Sequence, residues 1–189
     1  MIAESQLLAE RARRLGYRSP DLDYVLGWNA LFRGDFQSAK RELKAMVDQQ
    51  PKSLHGFNSL GCLAYAEFEP NQALDYFKQA TEVESGEPRD FTLLNTSIAY
   101  LQLKDYPSAV DSVERALVAN PQFEIGQALA ALAHSLDGNE AEAAKWAEKA
   151  KQSKVTISDV MGFPKGSPRY EQWMQTVILP VWRKLGLAE

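Results

Sequence analysis

An alanine returns in register along this chain, at Ala39, Ala73, Ala109 and Ala143, with spacings of 34, 36 and 34 residues. Other positions move with it. Seven residues later stand Met46, Ala80, Ala116 and Ala150. Twelve residues earlier stand Gly27, Gly61, Ser97 and Ala131, directly preceded by Leu26, Leu60, Thr96 and Ala130. Pro51 and Pro121 follow their alanines by twelve residues. A period of this length, with small residues held in place, describes a helical repeat whose single unit cannot bury its own apolar face and must stack on its neighbours.

Each repeat reads as two amphipathic helices joined by a tight turn. The expected turns are Gly34-Asp35-Phe36, Phe68-Glu69-Pro70, Lys104-Asp105-Tyr106 and Gly138-Asn139-Glu140. Glycine accepts the backbone angles that end a helix, and Asp or Asn caps the next one. Pro70 and Pro107 fall in a first helical turn, where a missing N–H costs nothing. First helices are expected near 21–33, 54–67, 90–103 and 123–136, and second helices near 37–49, 71–83, 107–119 and 140–152. Helices approach to about 8–10 Å only where crossing side chains are small, so a large residue at Gly61 or Ala73 would force the pair apart. Leu43, Phe77 and Val113, four residues after their alanines, fill the space between the helices. The fourth unit fits less well, with Ala147 at that place and His134 where an aromatic is usual.

This pattern resembles the tetratricopeptide repeat family over roughly residues 20–155. The best unit is Phe57, Leu60-Gly61, Ala64, Ala73, Phe77 and Ala80. Two departures stand out: Asp23 at the usual tryptophan position of the first unit, and a two-residue insertion before the third, which Ser85-Gly86-Glu87-Pro88 absorbs as a longer loop. The resemblance implies an all-α, right-handed helical-repeat superhelix of four helix pairs, with capping helices at both ends. As one repeat domain, 1–189, it divides into an N-terminal helix (1–17), repeats at 20–53, 54–87, 90–123 and 124–155, and a loop with a C-terminal capping helix (156–189).

The ends add to this. One period before Ala39 lies Ser5, and Met46 maps to Ala12, so residues 2–15 read as the second helix of a repeat without its first. They form either an N-terminal cap or the edge of a longer array. Beyond 155 the register is lost. Ser158 to Gly166 reads as a loop, and Ser167-Pro168 starts a helix with Trp173, Val177, Val181 and Leu185 at four-residue steps, flanked by Ile178 and Trp182. This helix is expected to cover the apolar face of the last repeat. Pro180 is expected to kink it. The tail Trp182-Arg183-Lys184-Leu185-Gly186-Leu187-Ala188-Glu189 is similar to the ends of repeat arrays that follow nucleotide cyclase or winged-helix domains in bacterial signalling proteins.

Nothing in the sequence assembles a reaction centre, and the chain is expected not to be an enzyme. His55 and His134 occupy different places in the repeat frame. Cys62 is the only cysteine, which excludes an internal disulfide, and no ligand spacing recurs, so no metal or cofactor is expected. The carboxylates fall at helix starts and on outward faces. A formal charge of -4 argues against a nucleic-acid partner. Residues 1–10 carry two acids and no signal-peptide core, and no run is long enough to cross a bilayer. A cytoplasmic protein is the expectation.

Function is therefore expected in binding. Leu26-Gly27 and Leu60-Gly61 look toward their own second helices, so neighbouring helical positions look into a concave groove. These are Tyr24, Trp28 and Leu31; His55, Asn58, Cys62 and Tyr65; Phe91, Leu94, Asn95 and Ile98; and in the fourth unit Ala128 and Leu132. Family members that bind acidic C-terminal peptides carry Lys, Asn and Arg at groove positions; here the matching places hold Tyr24, Trp28, Ser59, Phe91 and Asn95, and the carboxylate clamp is missing. The lining suits an apolar or amphipathic segment of a protein or peptide partner. Against this, Trp28 and Phe91 can instead pack on adjacent helices, and Cys62 can be either a groove residue open to reagents or a buried, inert thiol. The leading expectation is a non-catalytic adaptor. A chaperone like those of bacterial type III secretion, and a sensor domain that self-associates, as a homodimer for example, are the alternatives.

Overall fold

The computed structural model describes residues 2–83, 89–153, 155–162 and 166–188. All described regular structure is helical, in antiparallel pairs. The chain divides into two compact units: residues 1–87 with 165–167, and residues 88–164 with 168–189. The expected loop at Ser85-Gly86-Glu87-Pro88 lies outside the described residues.

The first unit holds α1 (Ile2–Arg14), α2 (Pro20–Phe32), α3 (Phe36–Gln49), α4 (Leu54–Ala66) and α5 (Pro70–Val83). Here α2 pairs with α3, and α4 pairs with α5 and also packs on α3. The expected crossings are where the helices meet. Gly27 is buried, and a Cβ added to it would stand 2.6 Å from Leu43 Cδ2; one added to Gly61 would stand 2.6 Å from Phe77 Cδ1. Ala39 and Ala73 are fully buried on the facing helices. In the second unit, α6 (Asp90–Leu103) pairs with α7 (Tyr106–Ala119), and α8 (Glu124–Leu136) pairs with α9 (Glu140–Ala150). Ser97 takes the glycine's place and is fully buried, its hydroxyl donating to the Ala109 carbonyl at 2.9 Å. A hydroxyl fits this crossing because the backbone of the partner helix accepts its proton.

All four turns use one geometry. Gly34, Phe68, Lys104 and Gly138 have φ of 75°, 64°, 61° and 83°. The next residue then donates back to the carbonyl five positions earlier: Asp35 to Ala30 at 2.9 Å, Glu69 to Ala64 at 2.9 Å, Asp105 to Tyr100 at 3.0 Å and Asn139 to His134 at 2.9 Å. This left-handed closure satisfies the last carbonyls of the first helix. Side chains of Asp35, Asp105 and Asn139 then accept from the amides of Ser38, Ser108 and Glu142 to start the second helix. At Phe68 and Lys104 a non-glycine residue tolerates a backbone region that costs about 1–2 kcal/mol, because the turn is fixed on both sides.

The departure at Asp23 has a structural reason that the repeat pattern does not contain. Asp23 and Glu42 are both 4 % exposed, and Arg13 of α1 reaches both. Its guanidinium donates to Asp23 Oδ1 at 2.8 Å and to both oxygens of Glu42, the Oε1 contact being 2.9 Å. Gln49 donates to the other Asp23 oxygen at 2.6 Å. One cation thus ties α1 to α2 and α3, with Asn29 donating to Ser5 at 3.2 Å beside it. The Arg13 hydrogen bond holds the Glu42 carboxyl below its ordinary value of 4.5, and Glu42 in turn raises Arg13.

Residues after the fourth pair fold onto the second unit. The stretch expected as a loop from Ser158 contains a short helix, α10 (Ile157–Met161), started by a capping box in which Thr156 and Asp159 bond each other's backbone amides. That motif is the signal the loop reading overlooked. Phe163 to Lys165 lie outside the described residues. Then come α11 (Pro168–Trp173) and α12 (Leu179–Lys184), joined by a π turn over Met174–Ile178. The π turn is the form the expected disturbance at Pro180 takes. Proline cannot donate to the carbonyl four residues back, and a wider turn relieves the ring's clash with it. Both α10 and α12 pack on α8. Tyr170 and Trp182 are buried, their polar tips donating to the carbonyls of Met161 at 3.1 Å and Ala188 at 2.9 Å. In the C-terminal tail Trp182, Leu185 and Leu187 are buried, and the expected similarity of this tail to signalling arrays is not shown.

Two outcomes follow. Gly61→Leu and Ala73→Leu should each lower stability by about 1–3 kcal/mol, the usual cost of over-packing, because a Cβ at Gly61 already meets the Phe77 ring and Ala73 is fully buried; melts matching the wild type would place the crossing elsewhere. Glu42→Gln tests the charge network. A carboxyl with a lowered pKa stabilises the fold above its unfolded value and loses that contribution as pH falls through its folded value. The variant should therefore be less stable than wild type by about 2 kcal/mol at pH 7, with the gap closing below pH 4.5. Denaturant titrations at pH 7 and in acid measure it.

Candidate functional site

Three aromatic residues run down α2 at four-residue steps: Tyr24, Trp28 and Phe32. This spacing stacks side chains on one helical face. Ring centroids lie 6.1 Å apart for Tyr24 and Trp28 and 5.6 Å apart for Trp28 and Phe32. From α4, His55 meets the edge of Tyr24 at 6.5 Å, with the rings tilted by 69°. The Trp28 indole donates to Ser59 Oγ at 2.9 Å, and that hydroxyl donates to the His55 carbonyl at 2.7 Å. Tyr24, Trp28 and Phe32 are half-buried and His55 is exposed. A row of rings, pinned at its middle by the Trp28 bond, thus keeps part of its area toward solvent. Burial pushes the Tyr24 hydroxyl upward from its ordinary value.

The remaining expected positions divide sharply. Leu31, Asn58, Cys62 and Tyr65 are buried. The expectation of an open ring at Tyr65 is corrected: the residue is 2 % exposed. The reason is the place of α4, packed by α2, α3 and α5 at once, so that of all its residues only His55 and Phe57 escape burial. A first helix enclosed on three sides has little surface left for a groove. Cys62 is likewise 2 % exposed, accepts a long contact of 3.9 Å from the Asn58 amide, and has its thiol pushed up to about 12 by burial. It is the inert, packed thiol, and the reading of a reachable groove cysteine is set aside. In the second unit, Phe91 and Asn95 are half-buried while Leu94 and Ile98 are buried. Ala128 and Leu132 are buried too, on the helix that α10 and α12 pack against.

Phe32 belongs to the aromatic row and was absent from the expected set, although its spacing from Trp28 is a legible signal. The Ser59 bond to Trp28 had no signal at all, because it joins two helices through a side-chain rotamer. Among the described residues no group of three His, Cys, Asp or Glu is placed to hold a metal ion, and no helix is long and apolar enough to cross a membrane.

Native Cys62 should resist thiol reagents for as long as the fold persists and react fully in denaturant; rapid labelling of the folded chain would contradict its burial.

No model of a known protein family matches the sequence, and no curated protein matches it. Solved structures do. PilW, described as a widely conserved type IV pilus biogenesis factor, matches with a TM-score of 0.73 and 17 % identity, over 97 % of this chain and 90 % of that one. MamA matches with a TM-score of 0.61 and 17 % identity, over 80 % of this chain and 90 % of that one. The Cut9-Hcn1 hetero-tetramer of the APC/C matches with a TM-score of 0.69 and 20 % identity, over 82 % of this chain but 31 % of that one. These neighbours contain tetratricopeptide repeats, and the fold of this chain is an all-α helical repeat of that type.

Proposed function

We propose that this chain is a non-catalytic protein-binding module, an adaptor in role, and that the ledge formed by Tyr24, Trp28, Phe32 and His55 receives an apolar or amphipathic segment of its partner. The observation that supports this is the partly exposed aromatic row on a helix that is otherwise well packed. Partly exposed aromatics held in place by their neighbours carry a large share of interface energy, and preorganisation lowers the entropy cost of binding. The indole N–H is already bonded to Ser59, so a partner has only apolar area to cover there and no unpaired donor to satisfy. The neighbours named for a multi-protein complex and for pilus biogenesis fit a scaffold role and specify nothing finer.

Peptides selected from a random library on the intact chain provide the probe. Trp28→Ala should weaken their binding by about 2 kcal/mol, roughly thirtyfold, with little loss of folding stability. Tyr65→Ala should do the reverse, removing about 3–5 kcal/mol of stability as a core aromatic does. Peptides that bind the Trp28→Ala variant as tightly as wild type would move the binding surface off this ledge.

A further inference from the structure

The first helix uses one side to fold and leaves the opposite side open. Ser5, Ala9 and Arg13 turn toward α2 and α3, with Ala9 buried. Opposite them, within about a third of the helix circumference at 100° per residue, lie Glu4, Leu7, Leu8, Arg11 and Arg14, with Leu15 in the turn that follows. Leu7 is 60 % exposed, Leu8 59 % and Leu15 71 %. Leu7 and Leu8, this open and side by side on the water-facing side of α1, form an apolar patch that Leu15 extends just beyond the end of the helix. The charges on the stripe are ordered: acidic Glu4 precedes the leucines and basic Arg11 follows them, both exposed.

We propose that this face pairs with the same face of a second copy, the two α1 helices running antiparallel about a two-fold axis between Leu7 and Leu8. The order of the charges selects this partner. With the axis there, Leu7 of one copy opposes Leu8 of the other, and Glu4 opposes Arg11 on both flanks. A two-fold contact is self-complementary, so one stripe supplies both halves of each pair. Parallel pairing would instead set Glu4 against Glu4 and Arg11 against Arg11, which like-charge repulsion disfavours. The opposed helix ends add to the preference, because antiparallel dipoles attract. One helix from each copy buries less than a standard interface, so the dimer is weak and depends on concentration. This assembly is independent of the aromatic ledge and stands or falls separately from it.

Sedimentation equilibrium of the full chain over a range of concentrations tests the proposal. Wild type should pass from monomer to dimer, and Leu8→Glu should weaken association at least about tenfold with an unchanged helical circular dichroism spectrum, since the side chain is exposed. Glu4→Arg alone should also weaken the dimer, by setting arginine against Arg11, and Glu4→Arg with Arg11→Glu should restore it. A chain that stays monomeric at concentrations on the order of 1 mM overturns the proposal and leaves the face to a different partner. A dimer indifferent to Leu8→Glu overturns it as well. A dimer sensitive to Leu8→Glu but indifferent to the charge reversals overturns the antiparallel arrangement.

Discussion

The helices of each pair cross at small residues, and the rest of the structure is arranged around that contact. At Gly27 and Gly61 the facing Leu43 and Phe77 occupy the volume a side chain would need. A leucine or phenylalanine that fills a glycine's notch is held on all sides, and dispersion contacts accumulate where interiors are this dense. The buried alanines at 39, 73, 109 and 143 continue the seam from the other helix. Close approach also explains the turns. Helices this near leave little chain between them, and a left-handed residue with a returning amide bond is a compact way to reverse direction. Phe68 and Lys104 accept that conformation without glycine's freedom, so the pairing of the helices outweighs the local cost.

Where the small-residue seam ends, other interactions take over, and each differs chemically from the repeat. At the N-terminal side, Arg13 holds two buried carboxylates from different helices. A buried charge left alone costs far more than a paired one, so this contact specifies where α1 sits more than it adds net stability. Aromatic residues do the corresponding work in the second unit. Tyr170 and Trp182 bring large apolar area into the packing on α8 and satisfy their polar tips on nearby carbonyls. The π turn before Pro180 lets α11 and α12 remain one continuous path despite a residue that cannot join the helical ladder.

A helix in a repeat array divides its surface among its neighbours, and only the remainder is available for recognition. On α4 three neighbouring helices leave almost nothing, which is why Cys62 and Tyr65 are core residues. On α2 the remainder is wider, and Tyr24, Trp28 and Phe32 keep part of their rings in solvent. Helical rotation alone names the residues turned away from a crossing. It cannot separate a residue facing water from one facing a third helix, because both lie at the same angle.

The sequence by itself determined the repeat, the helix pairs to within a few residues, the turn positions and the crossing glycines. These depend on contacts within one period, and a small residue recurring in register reports its steric role directly. The short α10 was also written locally, in the Thr156–Asp159 capping box. Only the tertiary structure decided which turned-away residues remain open, how Arg13 finds Asp23 and Glu42 across three helices, that Ser59 pins Trp28, and that the stripe on α1 stays uncovered. Each of these depends on groups from separate helices meeting in space. Burial and ion pairing are properties of the neighbours a residue acquires, and a period read along the chain does not contain them.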